Sequence, residues 1–196
     1  MNTFPPRVIL IGMMGAGKST IGRELAQRTG WPFLDNDALV RELTGRESKA
    51  IDAEDGEDAL HAAEIAALRA ALGRPGPAII AAAGAIVDDA AASAELRESS
   101  AHVVWLRARP ETLRSRIGAG AGRRADAQDL GWIRERAATR EPRYRAVADQ
   151  VIDIEDRPSG SIARSILASL ESRRDARDGV GEDPTGEDPT GEDPTG

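Results

Sequence analysis

Cysteine is absent from the 196-residue chain, which excludes disulfide scaffolds, thiolate zinc sites, iron–sulfur clusters and cysteine nucleophiles together. Aromatic residues make up only 3%, so the core has to be assembled from alanine, leucine, isoleucine and valine. Uninterrupted apolar runs are short, as at Val8 to Ile11 and Ala78 to Ala83, against the roughly 20 residues that a membrane-spanning helix needs. The opening Met1-Asn2-Thr3-Phe4-Pro5-Pro6 lacks the charged and apolar blocks of a signal peptide. These absences lead to an expectation of a soluble, cytoplasmic protein with no membrane partner. Lysine is nearly missing as well: 24 of the 26 basic residues are arginine, which leaves only Lys18 and Lys49.

The net charge of −7 is unevenly spread. Glu182, Asp183, Glu187, Asp188, Glu192 and Asp193 fall in the last sixteen residues, which hold no base, and the remainder is nearly balanced, 26 bases against 27 acids. Such a body has no basic excess to bind nucleic acid. Glu-Asp-Pro-Thr-Gly stands three times in succession, at 182–186, 187–191 and 192–196. That composition cannot bury apolar surface, so the expectation is one domain over 1–173 followed by a disordered acidic tail over 174–196.

Within the body, strand and helix patterns alternate. Arg7 to Ile11 is a short β-branched run that meets Gly12, as a buried parallel strand would. Ile21, Leu25 and Ala26 fall at helical spacing between Lys18 and Arg28, and Gly30 ends that pattern. Pro32-Phe33-Leu34 predicts a second strand, and Leu39, Val40 and Leu43 a helix that stops at Gly45. A longer helix is expected from about Asp55 to Leu72, broken by Gly73-Arg74-Pro75-Gly76-Pro77. Ala78 to Ala83 and His102 to Leu106 predict the third and fourth strands, and Pro110 starts a helix. Gly118 to Gly122 forms a hinge into an arginine-bearing loop. A helix from about Leu130 to Val147, a strand from Val151 to Ile154 and a helix from about Ser159 to Ser172 complete the pattern. Strands alternating with helices imply a parallel sheet covered on both faces.

Gly12-Met13-Met14-Gly15-Ala16-Gly17-Lys18-Ser19 fits G-x-x-x-x-G-K-[ST] in full, between an apolar strand and a helical pattern. Glycines let the backbone turn so that successive N–H groups face one anion, and the helix N-terminus adds about half a positive charge. Lys18 reaches the outer phosphates, and the Ser19 hydroxyl is a magnesium ligand. The arginine bias strengthens this reading, because one of the two lysines stands where a compact ammonium fits and a planar guanidinium does not. Neither lysine lies in an N-K-x-D motif, which argues against a switch-type GTPase. Beyond the second strand, Asp35 and Asp37 can both face the phosphates from an extended chain. One could hold magnesium while the other accepts a hydroxyl proton; helix capping is the competing reading.

At this point the chain resembles a known family. Gly12 to Thr20, Phe33-Leu34-Asp35-Asn36-Asp37, Thr44-Gly45-Arg46, Asp55-Gly56-Glu57 with Glu64, and Arg140-x-Pro142-x-Tyr144 together look like the shikimate kinases, over about residues 5–171. The resemblance implies an α/β fold: a P-loop NTPase-type three-layer sandwich with a five-stranded parallel sheet in the order 2-3-1-4-5, helices on both faces and a mobile lid at about 118–128. It implies ATP and a small hydroxy acid, shikimate or a relative, as substrates and magnesium as cofactor; a monomer is expected because the sequence shows no exposed apolar stripe. By the same resemblance, Gly12, Gly15, Ala16, Gly17, Lys18, Ser19 and Thr20 bind ATP, and Ser19 and Asp35 sit at the metal. Asp37 is the base and contacts the acceptor, Arg123 is a catalytic lid arginine that also binds ATP, and Arg116 with Arg157-Pro158 flanks adenine. Asp37, His61, Gly84 and Arg140 line the acceptor site.

Three positions depart from the family pattern. His61 stands where a second arginine for the acceptor carboxylate is expected, an exchange that costs on the order of 1.5–3 kcal/mol in binding unless His61 simply lies on a solvated helix face. Ala82-Ala83-Gly84 replaces three glycines and narrows the acceptor space. Arg123-Arg124-Ala125-Asp126 keeps the lid arginine without the apolar residues that close over the site, which predicts a less watertight lid. A related kinase with another acceptor, and a nucleotide-binding regulatory module without transfer activity, are the alternatives these departures leave open.

Overall fold

The computed structural model describes residues 7–118 and 129–178. Five strands form one sheet: β1 (Arg7–Ile11), β2 (Phe33–Asp35), β3 (Ala78–Ala81), β4 (His102–Arg107) and β5 (Gln150–Asp153). All pair in parallel in the spatial order β2-β3-β1-β4-β5, as expected. The central place of β1 follows from its side chains. Val8, Ile9, Leu10 and Ile11 are all fully buried, so both faces of the strand need cover. Ile9 lies in register between Ile80 and Val103. The chain leaves β1 toward β2 on one side and leaves β3 toward β4 on the other. Open α/β sheets bind ligands beyond the strands' carboxyl ends at such a reversal.

The helices are α1 (Lys18–Thr29), α2 (Asn36–Thr44), α3 (Ser48–Asp55), α4 (Glu57–Gly73), α5 (Ala90–Glu98), α6 (Pro110–Gly118), α7 (Leu130–Val147) and α8 (Ser159–Asp178), with a 3₁₀ turn at Gly84–Asp88. α1 packs on α8, α2 and α3 pack on α4, and α7 meets α5, α6 and the 3₁₀ turn. Among the described residues no helix is long and apolar enough to cross a membrane.

Several expected boundaries move. The helix expected from about Asp55 is α4, which starts at Glu57, and a further helix that was not expected, α3, precedes it; Gly56 at φ 89°, ψ 175° cannot continue a helix and separates the two. Its N–H closes α3 on the Asp52 carbonyl, and its own carbonyl receives the Leu60 N–H to open α4. Arg46 ion-pairs with Glu54 at 2.6 Å and also with Asp55, fastening α3 to the turn after α2. The 3₁₀ turn and α5 were not legible in the sequence, where Ala90-Ala91-Ala92 offers no apolar contrast; Asp89 marks the start of α5 by accepting the Ala92 N–H at 2.7 Å. β3 ends at Ala81, so Ala82 and Ala83 leave the sheet. α8 runs to Asp178, into the segment expected to be tail. The repeats at 182–196 and residues 119–128 of the expected lid lie outside the described residues.

The turn out of β1 has no room for a side chain. Gly12 has φ 140°, and a Cβ there would lie 2.6 Å from the Leu106 carbonyl oxygen of β4. Gly45, which ends α2 at φ 71°, has open space around the same position. Gly12→Ala should therefore cost about 2–4 kcal/mol, strain and overlap together, whereas Gly45→Ala should cost about 1–2 kcal/mol from the left-handed backbone alone. Thermal melts of the nucleotide-free proteins check the difference; equal losses would contradict it.

Candidate active site

The phosphate loop joins the buried end of β1 to α1. Gly17 at φ 81° precedes α1 without a side-chain cap, and the first turn carries no acid, so the positive helix end is left uncancelled. The Lys18 ammonium folds back over the loop, donating to the Gly12 carbonyl at 2.8 Å and the Met13 carbonyl at 3.2 Å. Gly15, Gly17, Lys18, Ser19 and Thr20 line a cavity of about 950 Å³, and Gly12 and Ala16 are buried behind them. Backbone donors, a helix terminus and an ammonium converge there, as a polyphosphate requires.

Asp35 and Asp37 both line this cavity, for a different reason from the one expected. Only Asp35 is extended; Asp37 already lies in the first turn of α2. Asp35 caps that helix, its Oδ1 accepting the Asp37 N–H at 3.2 Å, while its Oδ2 accepts the Ser19 hydroxyl at 2.6 Å. Capping and site geometry are thus one arrangement. Asp37 Oδ1 accepts the hydroxyl of Ser48 at 3.1 Å, and Ser48 is buried at the start of α3. The Ser19 and Asp35 oxygens are hard donors that suit magnesium, which binds proteins through one or two carboxylates and keeps water and phosphate for its other positions. Among the described residues, two buried polar atoms at the cavity, Asn36 Nδ2 and His61 Nε2, have no hydrogen-bond partner within the protein, so water or a ligand has to satisfy them.

The part of the cavity expected to take the acceptor is lined from α4, α7 and the segment after β3. His61 lines the cavity, so the solvated-face alternative is wrong. Ala82, Ala83 and Gly84 line it too, and both alanines are buried. Arg140 is 7% exposed. Its Nε and Nη2 donate to Asp88 Oδ2 at 2.8 and 2.6 Å, and Arg143 donates to Asp88 Oδ1 at 2.6 Å. Burial works to raise the Asp88 carboxyl, but the hydrogen bonds and charge of the two arginines outweigh it and hold the group below its ordinary value. Tyr144 stacks on Trp105 at 5.6 Å and donates to the Gly84 carbonyl at 2.6 Å; burial pushes its phenol above the ordinary value.

Not every expected residue joins the cavity. Arg116 lines it, but Arg157 and Pro158 do not; the Arg157 guanidinium turns onto α8, donating to Ser165 Oγ at 2.8 Å. The proposed adenine sandwich therefore has one described wall. Arg123 and the Arg124-Ala125-Asp126 departure lie outside the described residues. The residue assigned no role in the sequence reading is Glu64. It is 5% exposed on the face of α4 that also buries Leu60, Ala67 and Leu68. A carboxylate among apolar positions at helical spacing was the available signal. Burial pushes its carboxyl up to about 7, moderated by the charges of Lys18 and Arg140.

An acid whose folded-state value lies above its unfolded one takes up a proton on folding. The stability that Glu64 contributes should be full below about pH 4.5 and lost as pH rises through about 7. The melting temperature of the wild type relative to Glu64→Gln should fall across that window and level off above it. Parallel curves for the two proteins would contradict the assignment.

Comparison with known proteins places this geometry among relatives. A family model described as shikimate kinase matches residues 14–171. A shikimate kinase of Moorella thermoacetica is 38% identical over 174 residues, covering 86% of this chain and 96% of the relative. One of Symbiobacterium thermophilum is 34% identical over 170 residues, covering 85% and 97%. Among solved structures, the shikimate kinase from Acinetobacter baumannii in complex with shikimate superposes with a TM-score of 0.78 at 27% identity, over 88% of this chain and 96% of that one. With a family match across most of its length and a cavity carrying the family's phosphate loop and paired aspartates, this chain belongs to the shikimate kinase family.

Proposed function

We propose that this chain transfers the γ-phosphoryl group of ATP to the 3-hydroxyl of shikimate. The observation that carries the reading is the convergence of Lys18, Ser19 and Asp37 with Arg140 in one cavity. Groups that can hold phosphate, a carboxylate and a guanidinium thus line one space. The reading includes a monomeric enzyme in the cytoplasm, the compartment that supplies ATP.

The chemistry follows from those positions. The loop amides and Lys18 hold the β- and γ-phosphates and spread the charge that builds on them. Arg116 covers the nucleotide side; Arg123, which lies outside the described residues, is assigned the lid arginine's phosphate contact by the family resemblance alone. Arg140 and His61 hold the acceptor's carboxylate, which turns its hydroxyl toward Asp37. Asp37 takes the hydroxyl proton as the oxygen attacks the γ-phosphorus. The new P–O bond forms as the bond to the bridging oxygen breaks, and ADP leaves. Magnesium held by Ser19 and Asp35 would supply positive charge to the phosphate oxygens. Ser48 fixes the Asp37 carboxylate through its hydrogen bond, so the base is held in place before substrate arrives.

Two substitutions test the roles in a coupled assay of ADP release with shikimate. Asp37→Asn keeps the shape and an acceptor oxygen for Ser48 but removes the base. It should lower kcat by about 10²–10⁴-fold with the KM for ATP within about twofold. Lys18→Ala should abolish measurable ATP-dependent turnover while the melting temperature falls by only a few degrees. Near-normal kcat in Asp37→Asn would overturn its role, and no turnover of shikimate by the wild type would overturn the function.

A further inference from the structure

The acceptor is an anion, yet the walls of its site are rich in carboxylates, among them Asp37, Glu57, Glu64 and Asp88. Arg140 by itself offers its carboxylate little. Asp88 occupies Nε and Nη2, and only Nη1, which lies 3.8 Å from the weakly accepting Met13 sulfur, is left facing elsewhere. A second cation stands on the same helix. Arg136 precedes Arg140 by one turn of α7, so both side chains lie on one helix face, and both line the cavity. Its guanidinium sits 5.1 Å over the Trp132 ring and reaches across to α4, where Nη2 donates to Glu57 Oε1 at 3.2 Å. Glu57 is in turn one helical turn before His61 on α4. Arg136 thus brings its charge from α7 to the stretch of α4 that ends at His61.

We propose that Arg136 is a binding residue for the acceptor's carboxylate, completing with Arg140 and His61 a clamp whose second guanidinium comes from α7 instead of position 61 of α4. The inference rests on the proposed shikimate-phosphorylating function. The hold of Glu57 on Arg136 does not oppose it. The two side chains are 48% and 30% exposed, and exposed pairs of this kind are weak. Among the described residues Glu57 takes one of the five guanidinium donors. An incoming carboxylate can use the remaining donors in the paired geometry that arginine favours. Trp132 supports the flat face of the guanidinium and leaves its edge to the ligand.

The test uses the full-length enzyme with shikimate and with its methyl ester, which keeps the hydroxyls and lacks the charge. Arg136→Ala should raise the KM for shikimate by about 10- to 100-fold, the range of one charged hydrogen bond, with the KM for ATP within about twofold. The ester should bind the wild type far worse than the acid does, and this penalty should shrink in Arg136→Ala; loss of packing alone would not move it. Adding His61→Arg to Arg136→Ala should recover part of the lost shikimate binding. Arg136→Gln, which keeps a side chain over Trp132, serves the same measurements if the alanine variant does not fold. An unchanged KM for shikimate, an ester penalty equal to that of the wild type, or no recovery with His61→Arg would overturn the inference while the function stands. A wild type that does not phosphorylate shikimate would overturn both.

Discussion

The chain leaves β1 in a backbone conformation that side chains rarely tolerate, with Gly12 at φ 140° against the Leu106 carbonyl of β4. That close passage sets where the phosphate loop lies, because β1 is buried on both sides and cannot shift to relieve it. Once the loop is fixed, α1 must start at Lys18, and its N-terminus must face the cavity. The ammonium folds back across the loop carbonyls of Gly12 and Met13. Ser19, one residue on, meets Asp35 at the end of β2, and Asp35 starts α2 by capping it. Asp37 follows in the first turn of that helix. The Asp37 carboxylate, the base of the proposed reaction, is therefore placed by a chain of contacts that begins with a packing constraint two strands away.

The acceptor end depends on a different kind of contact. Asp88 shares its two oxygens between Arg140 and Arg143, and Tyr144 bonds the Gly84 carbonyl. All three donors come from one stretch of α7, so that helix and the segment after β3 form one unit around the site. A buried charge is held only when it is paired and hydrogen-bonded, and Arg140 meets that condition through Asp88 before any substrate binds. Glu64, buried nearby with Lys18 and Arg140 as its moderating charges, escapes that requirement by holding its proton more tightly.

The sequence disclosed what is local and hid what is distant. The phosphate loop is eight contiguous residues whose physics is self-contained, and it folds as read. The parallel sheet followed from alternating patterns, and its strand order, which the family resemblance implied, is the one observed. Asp35 and Asp37 were correctly brought to the cavity by an argument about extended chain that the structure replaces with a helix cap. Asp88, Tyr144 and Arg136 were not read as part of the site, since their roles come from pairings across 52, 60 and 79 positions, which no local pattern announces. Arg157 misled in the opposite sense. Its motif suggested the cavity, but Ser161 and Ser165 on the following helix offer nearer partners. The helix over Ser48–Asp55 was not read at all, and only the Gly56 φ of 89° shows where it is divided from the expected helix that follows.

The placement of Trp132 has an optical consequence. Of the three indoles in the chain, only Trp132 lines the cavity, while Trp105 is buried against Tyr144 and Trp31 packs on the core elsewhere. An indole in contact with a guanidinium reports any change in that cation's position through its emission. The molecule therefore carries a native fluorophore in the wall of this cavity, and occupancy of the proposed acceptor site can be followed without a label.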